Sequence, residues 1–149
     1  MKSLVAYYSR TNITKKLAER IASETDSDIE EIKPKVNYQG KIGYARGGKD
    51  AISEKIIDLE ELKYDPAEYD IVYIGTPVWA GKSSSPVFSY LKQNEGKFNN
   101  VKFFTTFGGR GFESTFEQME ANSKKPLKTL ALKTKEVKND EFNLDSFID

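Results

Sequence analysis

Three short apolar runs, each followed by a polar or glycine-rich segment, dominate the hydrophobic pattern of this chain. They are Leu4–Tyr8, Ile71–Ile74 and Val101–Phe104. Near-continuous apolar strands are typical of parallel sheets that helices cover on both faces. Two more polar runs, Asp28–Ile32 and Leu127–Leu132, have the pattern of edge strands. The pattern therefore predicts about five strands.

Helical signals lie between these runs. Ile13, Leu17 and Ile21 recur every four residues opposite charged positions, which predicts a helix from about Asn12 to Glu24. Because strands and helices alternate and crossovers are right-handed, we expect a doubly wound α/β fold. It would be a three-layer α/β/α arrangement around a five-stranded parallel sheet in the order 2-1-3-4-5.

Capping residues predict where two more helices begin. Ser85 followed by Pro86 has the form of an N-cap and a proline at the first helical position. Ser114 and Glu117 have the spacing of a capping box, in which the glutamate accepts a hydrogen bond from the amide of the cap residue. We therefore expect helices to begin at these two points.

Two regions do not fit this alternation. Residues 35–63 carry Gly40, Gly43, Gly47 and Gly48, and the sequence predicts a mixture of loop and helix there. At the other end, Asn143–Ile148 leaves room for only a turn or two of helix. One face of the last strands would then be thinly covered and open to a partner chain, so a monomer or a homodimer is expected.

The amino-acid composition limits which catalytic and metal-binding side chains are available. The 149 residues include no cysteine and no histidine, which removes the usual general base, the thiol nucleophile and the common metal ligands. No catalytic or metal-binding residue is assigned, and any redox chemistry would come from a cofactor. Lys plus Arg equals Asp plus Glu, at 23 each, and mean hydropathy is −0.62. We expect one cytoplasmic domain over residues 1–149 that binds neither nucleic acid nor membrane.

The first candidate site segment follows the first strand. In an open α/β sheet, ligands bind beyond the carboxyl ends of strands where the strand order reverses. Free amides at a helix start and nearby hydroxyls suit a phosphate, and a bound anion would also offset Lys15 and Lys16 in the first helical turn. An ordinary polar helix cap remains the alternative. This segment comprises Ser9, Arg10, Thr11, Asn12, Ile13 and Thr14.

Two further segments follow the next inner strands. The second holds the only tryptophan, which could cover a flat ligand or pack over residues 35–63. The third is glycine-rich, which would let a ligand approach the backbone, and it carries another aromatic ring. Together the three segments suggest a flat, phosphorylated ligand. The second is Thr76, Pro77, Val78, Trp79, Ala80 and Gly81, and the third is Phe107, Gly108, Gly109, Arg110, Gly111 and Phe112.

These segments resemble the flavodoxin-like superfamily over nearly the whole chain. Ser9–Thr14 is similar to its phosphate loop, hydroxyl-x-Thr-Gly-x-Thr, with Asn12 in place of the glycine. Asparagine tolerates a positive φ better than other non-glycine residues. Gly75–Gly81 and Tyr38–Tyr44 resemble a subgroup of small microbial flavodoxin-like proteins. The resemblance implies FMN as cofactor, with Trp79 and Phe112 against its ring system.

The resemblance implies an FMN-binding electron carrier whose partners are redox proteins or a small quinone-like acceptor. One alternative is an NAD(P)H-dependent quinone or flavin reductase, in which residues 35–63 would help bind a second substrate. Another is a flavin-free binding module, if Asn12 and Ile13 have disabled the phosphate loop. Fold resemblance does not separate these three functions.

Overall fold

The structure, a computed structural model, describes residues 1–149. Strands and helices alternate along the chain, as the hydrophobic pattern predicts. The strands are β1 (Ser3–Tyr7), β2 (Asp28–Glu31), β3 (Ile71–Trp79), β4 (Lys82–Ser83), β5 (Val101–Phe107) and β6 (Thr129–Lys133). The helices are α1 (Ile13–Thr25), α2 (Gly40–Ile52), α3 (Ser85–Gln93), α4 (Phe112–Ala121), α5 (Thr134–Lys138) and α6 (Asp145–Ile148).

Five of the six strands form one parallel sheet in the spatial order β2-β1-β3-β5-β6. The short β4 lies off this path and pairs antiparallel with β3. Counted without β4, the order is the predicted 2-1-3-4-5, and the flavodoxin-like fold class is confirmed. The reversal of strand order lies between β1 and β3, which places a potential ligand crevice at the carboxyl ends of these two strands.

The segment after Ile74 differs from the prediction. β3 continues to Trp79, and Val78 and Trp79 pair with β4 across a tight turn formed by Ala80 and Gly81. Both turn residues have positive φ, 52° and 78°, as a two-residue hairpin turn with the right-handed twist requires. The predicted segment between the third strand and the next helix is therefore a β-hairpin rather than an irregular loop.

Two predicted helix starts are displaced. α3 has Ser84 as its N-cap, whose hydroxyl accepts from the amide of Val87, so Ser85 is already helical. α4 begins at Phe112 after Gly111, whose φ of 100° favours glycine. The capping box expected at Ser114 is therefore wrong. The Ser114 hydroxyl instead bonds the carbonyl of Gly81 and ties α4 to the hairpin.

Apolar side chains fill both faces of the sheet. On one face α1 buries Leu17 and Ile21, and the same cluster includes Leu144 and Phe147 from the C-terminal segment. That segment covers the face that was expected to be thinly covered. On the other face, α3 and α4 pack over the sheet through residues such as Leu91 and Met119. No helix combines the length and the apolar character that crossing a bilayer requires.

Residues 35–63 form α2 with irregular chain on both sides, as predicted. A glycine is required at Gly43, because a Cβ there would lie 2.2 Å from the carbonyl carbon of Tyr38. The Tyr38 hydroxyl donates to buried Asp50 at 2.8 Å, which fixes the other end of the helix. Close approach and a buried hydrogen bond thus hold this glycine-rich helix beside the sheet.

Candidate functional site

The three predicted segments converge at the carboxyl ends of β1, β3 and β5. There they surround a cavity of about 220 Å³, which we call the crevice. Its walls combine hydroxyl groups with aromatic and aliphatic side chains. The lining residues are Arg10, Thr11, Ile13, Thr14, Tyr44, Pro77, Val78, Trp79, Thr106, Phe107, Gly108 and Thr134.

The loop between β1 and α1 has unused hydrogen-bond donors. The backbone amides of residues 9–12 donate to no protein atom, and the first amides of α1 lack helical partners. Asn12, with a φ of 68°, turns the chain into α1 and takes the left-handed conformation that the glycine of similar loops adopts readily. The Ser9 hydroxyl is shielded from solvent and has no protein partner. This set of donors fits an anionic group such as a phosphate.

Hydroxyls from three elements border the same end of the crevice. The Thr14 and Thr106 hydroxyl oxygens lie 2.8 Å apart in a buried hydrogen bond. Thr134, at the start of α5, donates to the carbonyl of Phe107 at 3.3 Å. Thr106 and Thr134 are not among the site residues that the sequence predicts. The only signal was their position at the carboxyl ends of predicted strands.

Arg10 connects the loop to α2. Its Nε donates to the carbonyl of Tyr38 at 2.8 Å, and its terminal nitrogen donates to the carbonyl of Gly40 at 3.0 Å. The Gln39 side chain donates back to the carbonyl of Arg10 at 3.1 Å. The guanidinium also lies 5.3 Å from the ring centre of Tyr44. Arg10 therefore positions α2 beside the crevice.

Trp79 lies between the crevice and α2. Its indole ring makes edge contacts with Tyr8 and Tyr38 at centroid distances of 5.5 and 5.0 Å, and it touches Gly47. The contact with Gly47 bears out packing over residues 35–63, and the same ring also lines the crevice. A second cavity of about 190 Å³ continues along this ring. It is lined by Arg10, Tyr44, Gly48, Val78, Trp79 and Ala80.

The third segment contributes only its beginning. Phe107 and Gly108 line the crevice, whereas Gly109 and Arg110 are exposed outside both cavities. Phe112 packs against Phe107 and Phe116 at 5.0 and 6.2 Å between ring centres and lines neither cavity. Tyr44 of α2 lines both cavities together with Trp79. Flavin contact by Phe112 and Arg110 stays a prediction.

The remaining predicted residues have structural roles nearby. Thr76 is buried and its hydroxyl accepts from the amide of Ser84, which braces the hairpin against α3. Ala80 lines the second cavity, and Gly81 completes the turn. Tyr44 and Gly48 were missed because nothing in the local sequence indicates which side of α2 faces the sheet. The predicted residues outside both cavities are Ser9, Asn12, Thr76, Gly81, Gly109, Arg110, Gly111 and Phe112.

The two tyrosines that contact Trp79, Tyr8 and Tyr38, are uncharged at neutral pH. Burial raises the pKa of Tyr8 to about 12, although the nearby Arg10 charge acts in the opposite direction. Burial also raises the pKa of Tyr38, and its hydrogen bond to Asp50 adds to this effect. Neutral rings beside a group of free amides can hold a ligand with an apolar planar part and a negatively charged part.

Comparisons with known proteins agree with this geometry. A flavodoxin family model matches residues 2–145. A flavoprotein from Lactobacillus acidophilus, solved in complex with FMN, is 26% identical over 93% of this chain and 97% of its own, with a TM-score of 0.76. A flavoprotein from Bacteroides uniformis is 25% identical over 93% and 96%, with a TM-score of 0.78. An NADH:FMN oxidoreductase at 14% identity shares only the fold, over 99% and 84%, with a TM-score of 0.57. No curated protein matches. The chain belongs to the flavodoxin family.

Proposed function

We propose that this member of the flavodoxin family binds one FMN non-covalently and uses it to transfer electrons to a redox partner protein or a small quinone-like acceptor. The observation that carries the proposal is the set of unpaired amides at residues 9–12, which lies beside an apolar, aromatic-walled crevice. FMN supplies the redox chemistry, because its ring system accepts and releases one or two electrons.

The phosphate of FMN would bind at the start of α1. The amides of residues 9–12 and the hydroxyls of Thr11 and Thr14 are the donors on this side of the crevice. The partial positive charge of the helix N-terminus adds to their attraction. The first turn of α1 contains no acidic residue that would repel a dianion.

The ring system would lie in the two cavities, alongside the contact between α2 and Trp79 of the hairpin. Trp79 and Tyr44 present flat aromatic surfaces there, and Val78 and Pro77 supply apolar contacts. Among the residues that line the two cavities, only Arg10 and Tyr44 have ionisable side chains, and Arg10 is bonded to backbone carbonyls. Such walls bind and orient a cofactor, which supports electron transfer over acid–base catalysis.

Isothermal titration of the apoprotein with FMN and with riboflavin tests the proposal. We expect FMN to bind far more tightly, because each hydrogen bond to a charged phosphate contributes about 1.5–3 kcal/mol. Thr11→Ala should weaken FMN about tenfold or more and leave riboflavin unchanged, since the Thr11 hydroxyl makes no hydrogen bond in the protein. Thr14→Ala should also weaken FMN selectively.

Thr129→Ala is the matched control, because Thr129 is exposed on β6 away from both cavities. It should bind both ligands as the wild type does. Equal affinities for FMN and riboflavin would remove the loop between β1 and α1 from the cofactor site. Failure to bind either ligand would favour the flavin-free alternative.

The reductase alternative is favoured by one observation, the position of α2. Residues 35–63 place Tyr44 and Gly48 at the second cavity, where a second substrate could approach a bound ring. Steady oxidation of NADH or NADPH by the FMN-loaded protein, with a quinone as acceptor, would identify a reductase. If NADH and NADPH are oxidised no faster than with free FMN, the result favours the electron-carrier function.

A further inference from the structure

Exposed apolar side chains are concentrated on and just after α2. Seven large hydrophobic residues of the chain are exposed, and four of them lie within residues 42–56. Three belong to α2 itself, where Ile42 is 87%, Tyr44 71% and Ile52 63% exposed. Exposed apolar residues scattered singly need no explanation, but clusters of them indicate interaction sites.

The charges of α2 all have one sign at the surface. Lys41, Arg46 and Lys49 are exposed, and none of them forms an ion pair. The only carboxylate of the helix, Asp50, is buried and accepts the hydrogen bond from Tyr38. The whole chain has a formal charge of zero. The positive surface of α2 is therefore a local feature.

This surface adjoins the candidate cofactor site. Tyr44 lines both cavities, and Gly47 on the inner side of α2 contacts Trp79. Arg10 holds the start of the helix through the carbonyl of Gly40. A protein that bound to the outer side of α2 would thus lie within one helix diameter, roughly 10 Å, of a ring bound beside Trp79.

We propose that the exposed side of α2, formed by Lys41, Ile42, Arg46, Lys49 and Ile52, is the docking surface for a redox partner protein with an acidic patch. This inference rests on the proposed function. Three unpaired cations attract an acidic surface from a distance, and the interleaved apolar residues Ile42 and Ile52 supply desolvated contacts once the partner is bound.

The arrangement of residues favours a protein over a lipid surface. A helix that lies in a membrane interface separates its apolar face from its basic face. In α2, Ile42 and Lys49 are seven residues apart, which is about two turns, so they share one side of the helix. Arg46, four residues after Ile42, lies on that side as well. Mixed apolar and cationic positions are typical of protein interfaces.

Two small redox reagents of opposite charge test the sign of this surface. The FMN-loaded protein is reduced with dithionite and mixed anaerobically with ferricyanide or with hexaammineruthenium(III). Each reagent ion takes one electron, so two ions reoxidise one fully reduced FMN, which releases one proton to water from its anionic form or two protons from its neutral form. We expect the ferricyanide rate to fall with added salt and the hexaammineruthenium rate to rise, because salt screens both attraction and repulsion.

Charge reversal at two lysines of α2 tests whether the attraction of ferricyanide and the repulsion of hexaammineruthenium come from this helix. The double variant Lys41→Glu with Lys49→Glu should slow ferricyanide about tenfold at low salt and accelerate hexaammineruthenium. The matched control is Lys97→Glu with Lys125→Glu, which changes the net charge equally at exposed positions just before the amino ends of β5 and β6, whereas the crevice lies at the carboxyl ends of the strands. The control should behave as the wild type does. Equal effects of the two double variants would overturn the proposal.

Binding to the apoprotein gives a readout that does not depend on FMN. A polyglutamate peptide should bind the wild type at low salt and bind the Lys41/Lys49 variant at least tenfold more weakly.

Two results would overturn the proposed partner. One is a dimer in sedimentation that is lost in Ile42→Ser. The other is binding to phosphatidylglycerol vesicles without binding to polyglutamate. If FMN binds normally but the reoxidation rates and the polyglutamate binding do not depend on Lys41 and Lys49, only this inference is overturned. If FMN does not bind at all, the proposed function is overturned.

Discussion

Gly47 of α2 lies against the indole ring of Trp79, so close that a Cβ at position 47 would lie 3.0 Å from Cζ3 of that ring. The next residue, Gly48, has no heavy atom within 4 Å of where its Cβ would be. Both glycines are inside α2, but only Gly47 is required for the approach of α2 to the hairpin. Alanine substitutions at these two positions therefore distinguish the effect of packing against Trp79 from the effect of helix propensity.

Gly47→Ala should destabilise the apoprotein, because either the indole ring or α2 must move. Gly48→Ala should stabilise it by up to about 1 kcal/mol, since alanine favours a helix interior and meets no obstacle here. Urea unfolding of both variants gives the comparison. A similar gain in stability from both substitutions would show that α2 does not pack tightly on Trp79.

Ala80 has a positive φ of 52° in the hairpin turn. This conformation costs a non-glycine residue roughly 1–2 kcal/mol. Ala80→Gly should therefore raise the free energy of unfolding by about 1 kcal/mol, less the extra entropy that glycine has in the unfolded chain. The control is Gly81→Ala, which should destabilise because Gly81 has a φ of 78°. Loss of stability in Ala80→Gly would mean that strain at this turn is negligible.

Tyr90 is fully buried between α3 and the sheet, and its hydroxyl has no hydrogen-bond partner. Burying an unpaired hydroxyl costs about 1–3 kcal/mol. Tyr90→Phe removes that group with little change of shape, and we expect the protein to become more stable to urea. Tyr69→Phe should do the opposite, because the Tyr69 hydroxyl donates to Asp28 at 2.6 Å. A destabilised Tyr90→Phe would point to a partner for that hydroxyl.

The inner strands could be predicted from the sequence because each carries its own signal, and their order followed from the alternation with helices and from right-handed crossovers. Short apolar runs such as Val101–Phe104 need no distant information to be recognised as buried strands. The hairpin was missed because Pro77 interrupts the apolar pattern of β3. Proline normally weakens the prediction of a strand, and here the pairing of Pro77 with Thr106 continues the sheet.

Half of the candidate site could be predicted in the same way. The amides and hydroxyls that follow β1 are contiguous in sequence, so the proposed phosphate side of the crevice is a local motif. The position of Tyr44 is not local. It depends on Arg10 binding the carbonyl of Gly40, and on Gly43 meeting the backbone of Tyr38. Contacts between Arg10 and residues about thirty positions away produce no hydrophobic or polar pattern that could be recognised in the sequence.

The buried tyrosines make stability depend on pH in the alkaline range. Burial raises the pKa of Tyr7 and of Tyr8 from 10.0 to about 12. Above pH 10 the unfolded chain releases phenolic protons that the native protein retains, so stability falls as the pH rises from about 10 to 12. Below pH 10 this contribution is complete. Burial raises the pKa in the same direction for Tyr38, Tyr69, Tyr73 and Tyr90.

Urea unfolding between pH 8 and pH 11 measures this effect. We expect a constant free energy of unfolding up to about pH 9 and a steepening decline beyond it. Tyr8→Phe should reduce the slope of that decline, because one of the shifted phenols is removed. A free energy of unfolding that stays unchanged up to pH 11 would contradict the raised pKa values of the buried tyrosines.

Trp79 can report on the candidate cofactor site through its fluorescence, since it is the only tryptophan of the chain. Its ring touches Tyr8, Tyr38 and Gly47 and also lines both cavities. A flavin bound in the crevice would lie against this ring, and contact between two aromatic systems quenches their emission. Adding FMN to the apoprotein should therefore strongly reduce tryptophan emission and quench the fluorescence of the flavin itself. Riboflavin should cause the same quenching only at much higher concentration, because it lacks the phosphate. In Thr11→Ala the FMN curve should move toward that of riboflavin while the final extent of quenching stays the same. If tryptophan emission does not change at saturating FMN, Trp79 serves only to pack α2 onto the hairpin.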